Sequence, residues 1–228
     1  MADPVIAVLV PVLGRPERAA PLSDSLDSTV TDTFIAFVCN EGDDEQIDAC
    51  HNVEHVSLTL VVPWQPGKAD YARKINYAFR ELRGDADWFL TGADDLRFHP
   101  GWDEAALAKY EETRCAVIGT NDLGNRTVMR GLHATHSLVH RDYGIWSGTV
   151  DGPNELLAEH YWHNYVDNEF IETAKARGQF AFAVDSHVEH LHPFWRKGAD
   201  DATYERGREH YQEDGRTFQS RRRLWQGR

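Results

Sequence analysis

Two adjacent carboxylates, Asp94 and Asp95, follow the apolar run Trp88-Phe89-Leu90-Thr91. A carboxylate pair at the end of a strand can hold a hard divalent cation against a diphosphate. Mg2+ and Mn2+ take one or two carboxylates and complete their shells with water and phosphate oxygens. An ordinary surface turn has the same composition, so the pair gains meaning only from its position. Late in the chain stand His187, His190 and His192. On an extended backbone His190 and His192 share one face and His187 takes the other, so one or two of them can reach a common metal. Asp167 and Glu169 open a helical segment, where the backbone dipole favours carboxylates without any function. The same dipole keeps a carboxylate ionised, as a base must be at neutral pH. His133, His136 and His140 have helical spacing inside a segment that reads as a strand, and are expected to be structural.

The elements that must position these groups are legible from hydrophobic pattern. Val5–Val10 is a continuous apolar run, as in a strand covered on both faces. Gly14-Arg15-Pro16 ends it, and a short helix through Leu26 follows, with Pro21 in its first turn. Phe34–Cys39 is a second strand closed by the acidic turn Asn40-Glu41-Gly42-Asp43-Asp44, and Val56–Val62 is a third. From Ala69 the apolar positions Ala72, Ile75, Phe79 and Leu82 recur at helical spacing up to Gly84. Trp88–Thr91 is a fourth strand, Asp103 the N-cap of a helix to Glu112, and Ala116–Gly119 a fifth strand. This alternation predicts an α/β fold with a mostly parallel twisted sheet flanked by helices and ligands at the strands' carboxyl ends. The second half, Gly- and His-rich to Asn164, then a helix Asp167–Arg177 and strands at Phe180–Val184 and Val188, reads as a smaller antiparallel addition. Gly148–Asn154 reads as a loop able to close over a ligand, two of Trp146, Trp162 and Trp195 as core, and residues beyond Lys197 as a wrap around the outside.

Composition narrows the function classes. The chain has 228 residues and a net charge of −13, enough length for one domain and too acidic for a general nucleic-acid binder. The charge is uneven, because residues 1–214 carry −18 and the tail beyond Asp214 carries +5. Such a tail can grip an anion or remain solvated. Three cysteines without a CxxC pair fit a reducing, cytoplasmic setting better than a disulfide framework. The apolar stretch Val5–Val12 is too short for a membrane span and lacks the basic leader of a signal peptide.

Taken in order, these pieces resemble a nucleotide-sugar-dependent glycosyltransferase of the GT-A fold, closest to the inverting family 2 type, over about residues 5–195. Val8–Pro11 through Arg15-Pro16 looks like the opening strand and nucleotide loop, and Asn40–Asp44 like the acidic turn beneath the base. Lys68 with Ala72-Arg73-Lys74-Ile75-Asn76 resembles the segment usually written Ala-Arg-Asn. Trp88–Trp102 resembles the strand, DxD motif and Pro-Gly-Trp of the family, Asp167-Asn168-Glu169 its acceptor-site acids, and Val188–His192 its late His segment. Ala93 stands where the first acid of DxD falls, and Asn40 where an Asp is common.

The resemblance implies one GT-A-like domain over residues 1–197, with a nucleotide-binding half to 119 and an acceptor half from 120, then an extension over 198–228. It implies a donor site from Pro11, Leu13, Arg15, Asn40, Glu41, Lys68, Arg73, Asn76 and Asp94. Asp95 and His190 would hold Mn2+ or Mg2+, and Asp167 or Glu169 would be the base. The donor is expected to be a nucleotide-sugar, a UDP-sugar first. The acceptor stays open among protein, glycan, lipid head group and modified nucleobase. A sugar-phosphate nucleotidyltransferase ranks lower, because the first loop offers only Gly14 with Arg15 and Arg18. A His/Asp metal-dependent hydrolase and a noncatalytic sugar-binding protein compete with it below the transferase.

Overall fold

The computed structural model describes residues 4–226. Among these residues eight strands form one mixed sheet: β1 (Val5–Pro11), β2 (Asp32–Asn40), β3 (Ser57–Val62), β4 (Trp88–Thr91), β5 (Leu96–Phe98), β6 (Val117–Asn121), β7 (Ser137–His140) and β8 (Phe180–His190). Their spatial order is β3-β2-β1-β4-β7-β6-β8-β5. The helices of the described residues are α1 (Ala19–Asp24), α2 (Asp44–His51), α3 (Asp70–Leu82), α4 (Trp102–Thr113), α5 (Arg126–Met129), α6 (Arg141–Trp146), α7 (Val166–Ala176), α8 (Ala202–Glu209) and α9 (Tyr211–Arg221).

The apolar run of β1 is continuous because both sheet faces are covered. Ala7 and Leu9 pack with Ile75 and Phe79 of α3 and with Phe170 and Ile171 of α7, whereas Ile6, Val8 and Val10 pack with Leu22 of α1 and Trp102 and Ala106 of α4. The expected α/β architecture therefore holds, with β3, β2, β1 and β4 parallel to one another.

Several local expectations are corrected. β6 does not neighbour β4; β7 inserts between them, antiparallel to both. The two late strands are a single strand, β8, parallel to β6 and antiparallel to β5, with a register irregularity between Gly119 and Asn121. The acidic turn after β2 runs directly into α2, whose first turn carries Asp44 and Glu45. Gly101, not Asp103, is the N-cap of α4. Asp103 instead accepts hydrogen bonds from the backbone N–H groups of Val30 and Thr31, at 3.1 and 2.7 Å.

None of Trp146, Trp162 and Trp195 enters the core: Trp146 is 78% exposed and the other two are half-buried. The buried tryptophans are Trp88, Trp102 and Trp225. Nor does the C-terminal part merely wrap the outside. Asp214 is fully buried, and its carboxylate accepts from the backbone N–H groups of Trp162, His163 and Asn164.

Candidate active site

The carboxyl ends of β1, β2 and β4 bring the first loop, the acidic turn and Asp94-Asp95 to one edge of the sheet. Antiparallel pairing of β5 with β8 sets Leu96 opposite His190, and the Leu191 N–H donates to the Asp95 carbonyl at 2.8 Å. That register is what delivers the imidazole to the acidic corner. His190 Nε2 lies 3.1 Å from Asp95 Oδ2. Burial opposes ionisation of both groups, but their mutual attraction prevails: Asp95 falls well below the usual carboxylate range and His190 rises above that of an ordinary imidazole.

Around this pair the charges are tightly matched. Arg15 Nη1 donates to Asp94 Oδ1 at 2.9 Å and Arg15 Nη2 to Asp201 Oδ1 at 2.7 Å. Arg18 Nη1 donates to the Tyr204 hydroxyl at 2.9 Å, and Arg18 Nη2 to Asp201 Oδ2 at 3.0 Å. Burial and the neighbouring Asp95 charge push the Asp94 carboxyl up to about 6, partly offset by the two guanidinium groups.

The donor set fits a divalent cation of the Mg2+ or Mn2+ type. Asp95 Oδ2 and His190 Nε2 are 3.1 Å apart, a hydrogen-bond distance that brings a carboxylate and an imidazole, both ligand types for such a cation, to one point. His136 Nδ1 lies 2.7 Å from the Thr91 carbonyl, while its Nε2 and His190 Nδ1 are buried without partners. The His136 and His190 rings meet edge to face at 5.1 Å. Among the described residues no set of three His, Cys, Asp or Glu side chains is arranged to hold a metal ion. Mg2+ and Mn2+ need only one or two protein ligands and complete their shells with water and phosphate oxygens.

Asp167 lies at the start of α7, its carboxylate accepting from His133 Nε2 at 3.0 Å. Burial opposes ionisation, yet the His133 hydrogen bond and charge hold Asp167 below the ordinary carboxylate range. Glu169 is placed elsewhere. It is almost fully buried and accepts from the Tyr161 hydroxyl at 2.6 Å and from Arg221 Nε and Nη2, both at 2.8 Å. With both oxygens committed to buried donors, Glu169 is a structural anchor for α9.

The expected donor residues divide in the same way. Pro11 and Leu13 flank the loop that carries Arg15, and Glu41 is exposed at the mouth of the acidic turn. Asn40 is buried, its Oδ1 accepting from Lys74 Nζ at 2.6 Å and its Nδ2 donating to the Trp64 carbonyl at 2.8 Å. Arg73 lies over the Trp64 ring at 4.3 Å. Lys68 is exposed and pairs with Glu213 at 3.6 Å. Asn76 is fully buried: its Oδ1 accepts from the Leu156 and Leu157 N–H groups and its Nδ2 donates to Leu157 and Glu159. These bonds make Asn76 a clamp between α3 and the 156–159 segment.

Sequence reasoning missed Arg18, His133, His136, Asp201 and Tyr204. Nothing local signals the last two, since Asp201 meets Arg15 across 186 positions of chain. His136 has a signal: its helical spacing from His133 disagrees with a strand context, and the structure turns both rings toward the site.

No family profile matches the sequence, and no curated protein matches it. Solved structures do. A mannosyltransferase from Pyrobaculum calidifontis in complex with GDP-Man and Mn2+ aligns with a TM-score of 0.61 at 12% identity, over 83% of this chain and 57% of that one. The fold is GT-A. This chain thus spans little more than half the length of that mannosyltransferase. Glucosyl-3-phosphoglycerate synthase from Mycobacterium tuberculosis with Mn2+, UDP-glucose and phosphoglyceric acid aligns at 0.57 and 12% identity, over 90% of this chain and 74% of that one. The catalytic domain of Drosophila β1,4-galactosyltransferase 7 with xylobiose aligns at 0.51 and 16% identity, over 90% and 79%. Within this GT-A frame no helix of the described residues is long and apolar enough to cross a membrane.

Proposed function

We propose that the protein is a metal-dependent glycosyltransferase that moves a sugar from a nucleotide-sugar, a UDP-sugar first, to an acceptor hydroxyl with inversion. The observation that carries this reading is the meeting of Asp95 and His190 beside the Arg15–Asp94 pair, at the strand ends where α/β folds bind their ligands. The GT-A neighbours crystallised with Mn2+ and nucleotide-sugars support the same class. In this reading residues 1–119 bind the nucleotide, 120–197 the acceptor, and the 198–228 extension completes the site.

Asp95 and His190 would hold the divalent cation, which when bound supplies Lewis-acid neutralisation of the diphosphate. Arg15 and Arg18 add two guanidinium charges beside it, where negative charge grows on the leaving group. Asp167, kept ionised by His133, takes the proton of the acceptor hydroxyl. The new bond forms between that oxygen and the anomeric carbon as the bond to the diphosphate breaks, its electron pair leaving on the phosphate oxygen. Attack from the face opposite the diphosphate inverts the centre.

A thermal-shift panel of UDP, GDP, TDP and CDP with and without Mn2+ tests the reading. A nucleotide present at 100 times its Kd stabilises the fold by about 2.7 kcal/mol. A response to one nucleotide only in the presence of Mn2+ is expected; no response to any of them sinks the assignment.

A further inference from the structure

Arg15 and Arg18, just after β1, are the cations that a donor diphosphate needs, and a carboxylate of this chain already holds both. Asp201 Oδ1 accepts from Arg15 Nη2 at 2.7 Å and Asp201 Oδ2 from Arg18 Nη2 at 3.0 Å. Its two oxygens thus span the two guanidinium groups as a pair of phosphate oxygens would. One turn on, the Tyr204 hydroxyl donates to Asp95 Oδ2 at 2.7 Å, and its ring lies 4.2 Å from the Arg15 guanidinium. Under this cover Arg15, Asp94 and Asp95 are 6, 7 and 5% exposed. A diphosphate brought to the corner meets a carboxylate already seated on its cations, and like charges repel.

The attachment of α8 is mostly polar. Tyr204 is its buried side chain, edge-on to the His192 ring at 4.6 Å, whereas Ala202, Glu205, Arg206, Arg208 and Glu209 are exposed. The helix is held further by Asn164 Nδ2, which donates to the Gly207 carbonyl at 2.7 Å, and by Thr203 Oγ1, which donates to the Leu13 carbonyl at 3.5 Å. Anchors stand on either side. Lys197 Nζ donates to Glu189 at 2.6 Å and to the Leu123 carbonyl at 2.9 Å, and His210 stacks on Trp162 at 3.7 Å. Between Lys197 and Asp201 the connector Gly198-Ala199-Asp200 is exposed. A helix held by ion pairs and hydrogen bonds, with little apolar burial, is released when a ligand competes for the same charged partners.

We propose that α8 is an autoinhibitory strap: Asp201 occupies the diphosphate position on Arg15 and Arg18, Tyr204 occupies the cation position on Asp95, and donor binding swings residues 198–209 off the corner. The proposal rests on the glycosyltransferase reading for the identity of the displacing ligand, a diphosphate with its divalent cation. It divides the C-terminal extension into two parts. Helix α8 covers the corner, while α9 stays fixed through Asp214 on the 162–164 backbone and Arg221 on Glu169.

Hydrogen exchange of the full chain, read by mass spectrometry, tests it with two probes: UDP with Mn2+, and inorganic pyrophosphate with Mn2+. Peptides covering 198–209 are expected to exchange faster with either probe, while those of α9 stay unchanged. Asp201→Asn removes the charge but keeps a side chain able to cap α8. It is expected to bind both probes about 10-fold more tightly in calorimetric titration, and its melting temperature reports that it remains folded. Binding to the variant alone also supports the strap, closed in the wild type. Unchanged or slower exchange of 198–209 while UDP with Mn2+ raises the melting temperature overturns the strap and leaves the transferase reading intact. So does weaker binding by the variant. Release of α8 by pyrophosphate with no response to any nucleotide leaves the strap standing and removes the nucleotide-sugar reading. Binding of neither probe to either protein overturns both.

Discussion

The Tyr204 hydroxyl donates a 2.7 Å hydrogen bond to Asp95 Oδ2, the same oxygen that faces His190 Nε2. Helix α8 thereby reaches the acidic corner, and Arg15 stacks over the Tyr204 ring at 4.2 Å. An oxygen that serves two hydrogen-bond partners has little capacity left for a cation, so the phenol competes with metal.

Tyr204→Phe should therefore strengthen Mn2+-dependent nucleotide binding, by up to about 10-fold, since one hydrogen bond is worth roughly 0.5–1.5 kcal/mol. Calorimetric titration of UDP in the presence of Mn2+ measures it. Weaker binding in the variant would mean that the hydroxyl assists the donor and does not compete.

Asp95→Asn and His190→Ala should each reduce Mn2+ affinity by at least the roughly 10–100-fold typical of losing even an outer-shell partner. Manganese relaxation measurements on the free protein read this without turnover. Unchanged relaxation in both variants would remove these residues from the metal site.

The base and its neighbour separate by experiment. Asp167→Asn should lower kcat roughly 100-fold or more while leaving the melting temperature near wild type, as expected for a lost general base. Arg221→Ala should do the reverse, costing about 3–5 kcal/mol in urea unfolding, because it strands the Glu169 carboxylate in the interior. Equal turnover by the Asp167 variant would move the base elsewhere.

His133→Gln should shift the acidic limb of the kcat/KM profile upward. The native Asp167 pKa is depressed, so the base stays ionised below the ordinary carboxylate range and loses activity only as pH falls through that lowered value. Removing the imidazole removes the largest of the lowering contributions, and the limb moves up. The same sign governs stability. The Asp167–His133 contact contributes above the unfolded pKa and fades as pH drops through the folded one. An unmoved limb would show that His133 does not set the ionisation of Asp167.

A methyl at Gly92, just past the end of β4, would meet the Leu9 carbonyl oxygen of β1 at 2.7 Å. Gly92→Ala should destabilise by about 1–3 kcal/mol through this overpacking, read as a lower urea midpoint. A midpoint equal to wild type would show that the β1–β4 contact can relax.

Strands covered on both faces announce themselves by unbroken apolar runs, and α3 by its helical period, because both signals come from neighbours within a turn or two of chain. β1, β2, β4 and α3 were therefore legible, as was the place of Asp94 and Asp95 at a strand end. The insertion of β7 between β4 and β6 was not, since a strand carries no record of which neighbour it will pair with. Nor was the fate of Glu169, which differs from Asp167 by two positions and by which way its helix face points.

The amino-acid order alone determined the α/β class, the acidic corner after Trp88–Thr91 and the late histidines, since each depends on short-range pattern. Only tertiary structure decided that the β5–β8 register sets His190 against Asp95, that α8 returns Tyr204 and Asp201 to the first loop, and that Arg221 claims Glu169. Those contacts join positions far apart in the chain. The burial that makes them strong exists only once the sheet has closed over them.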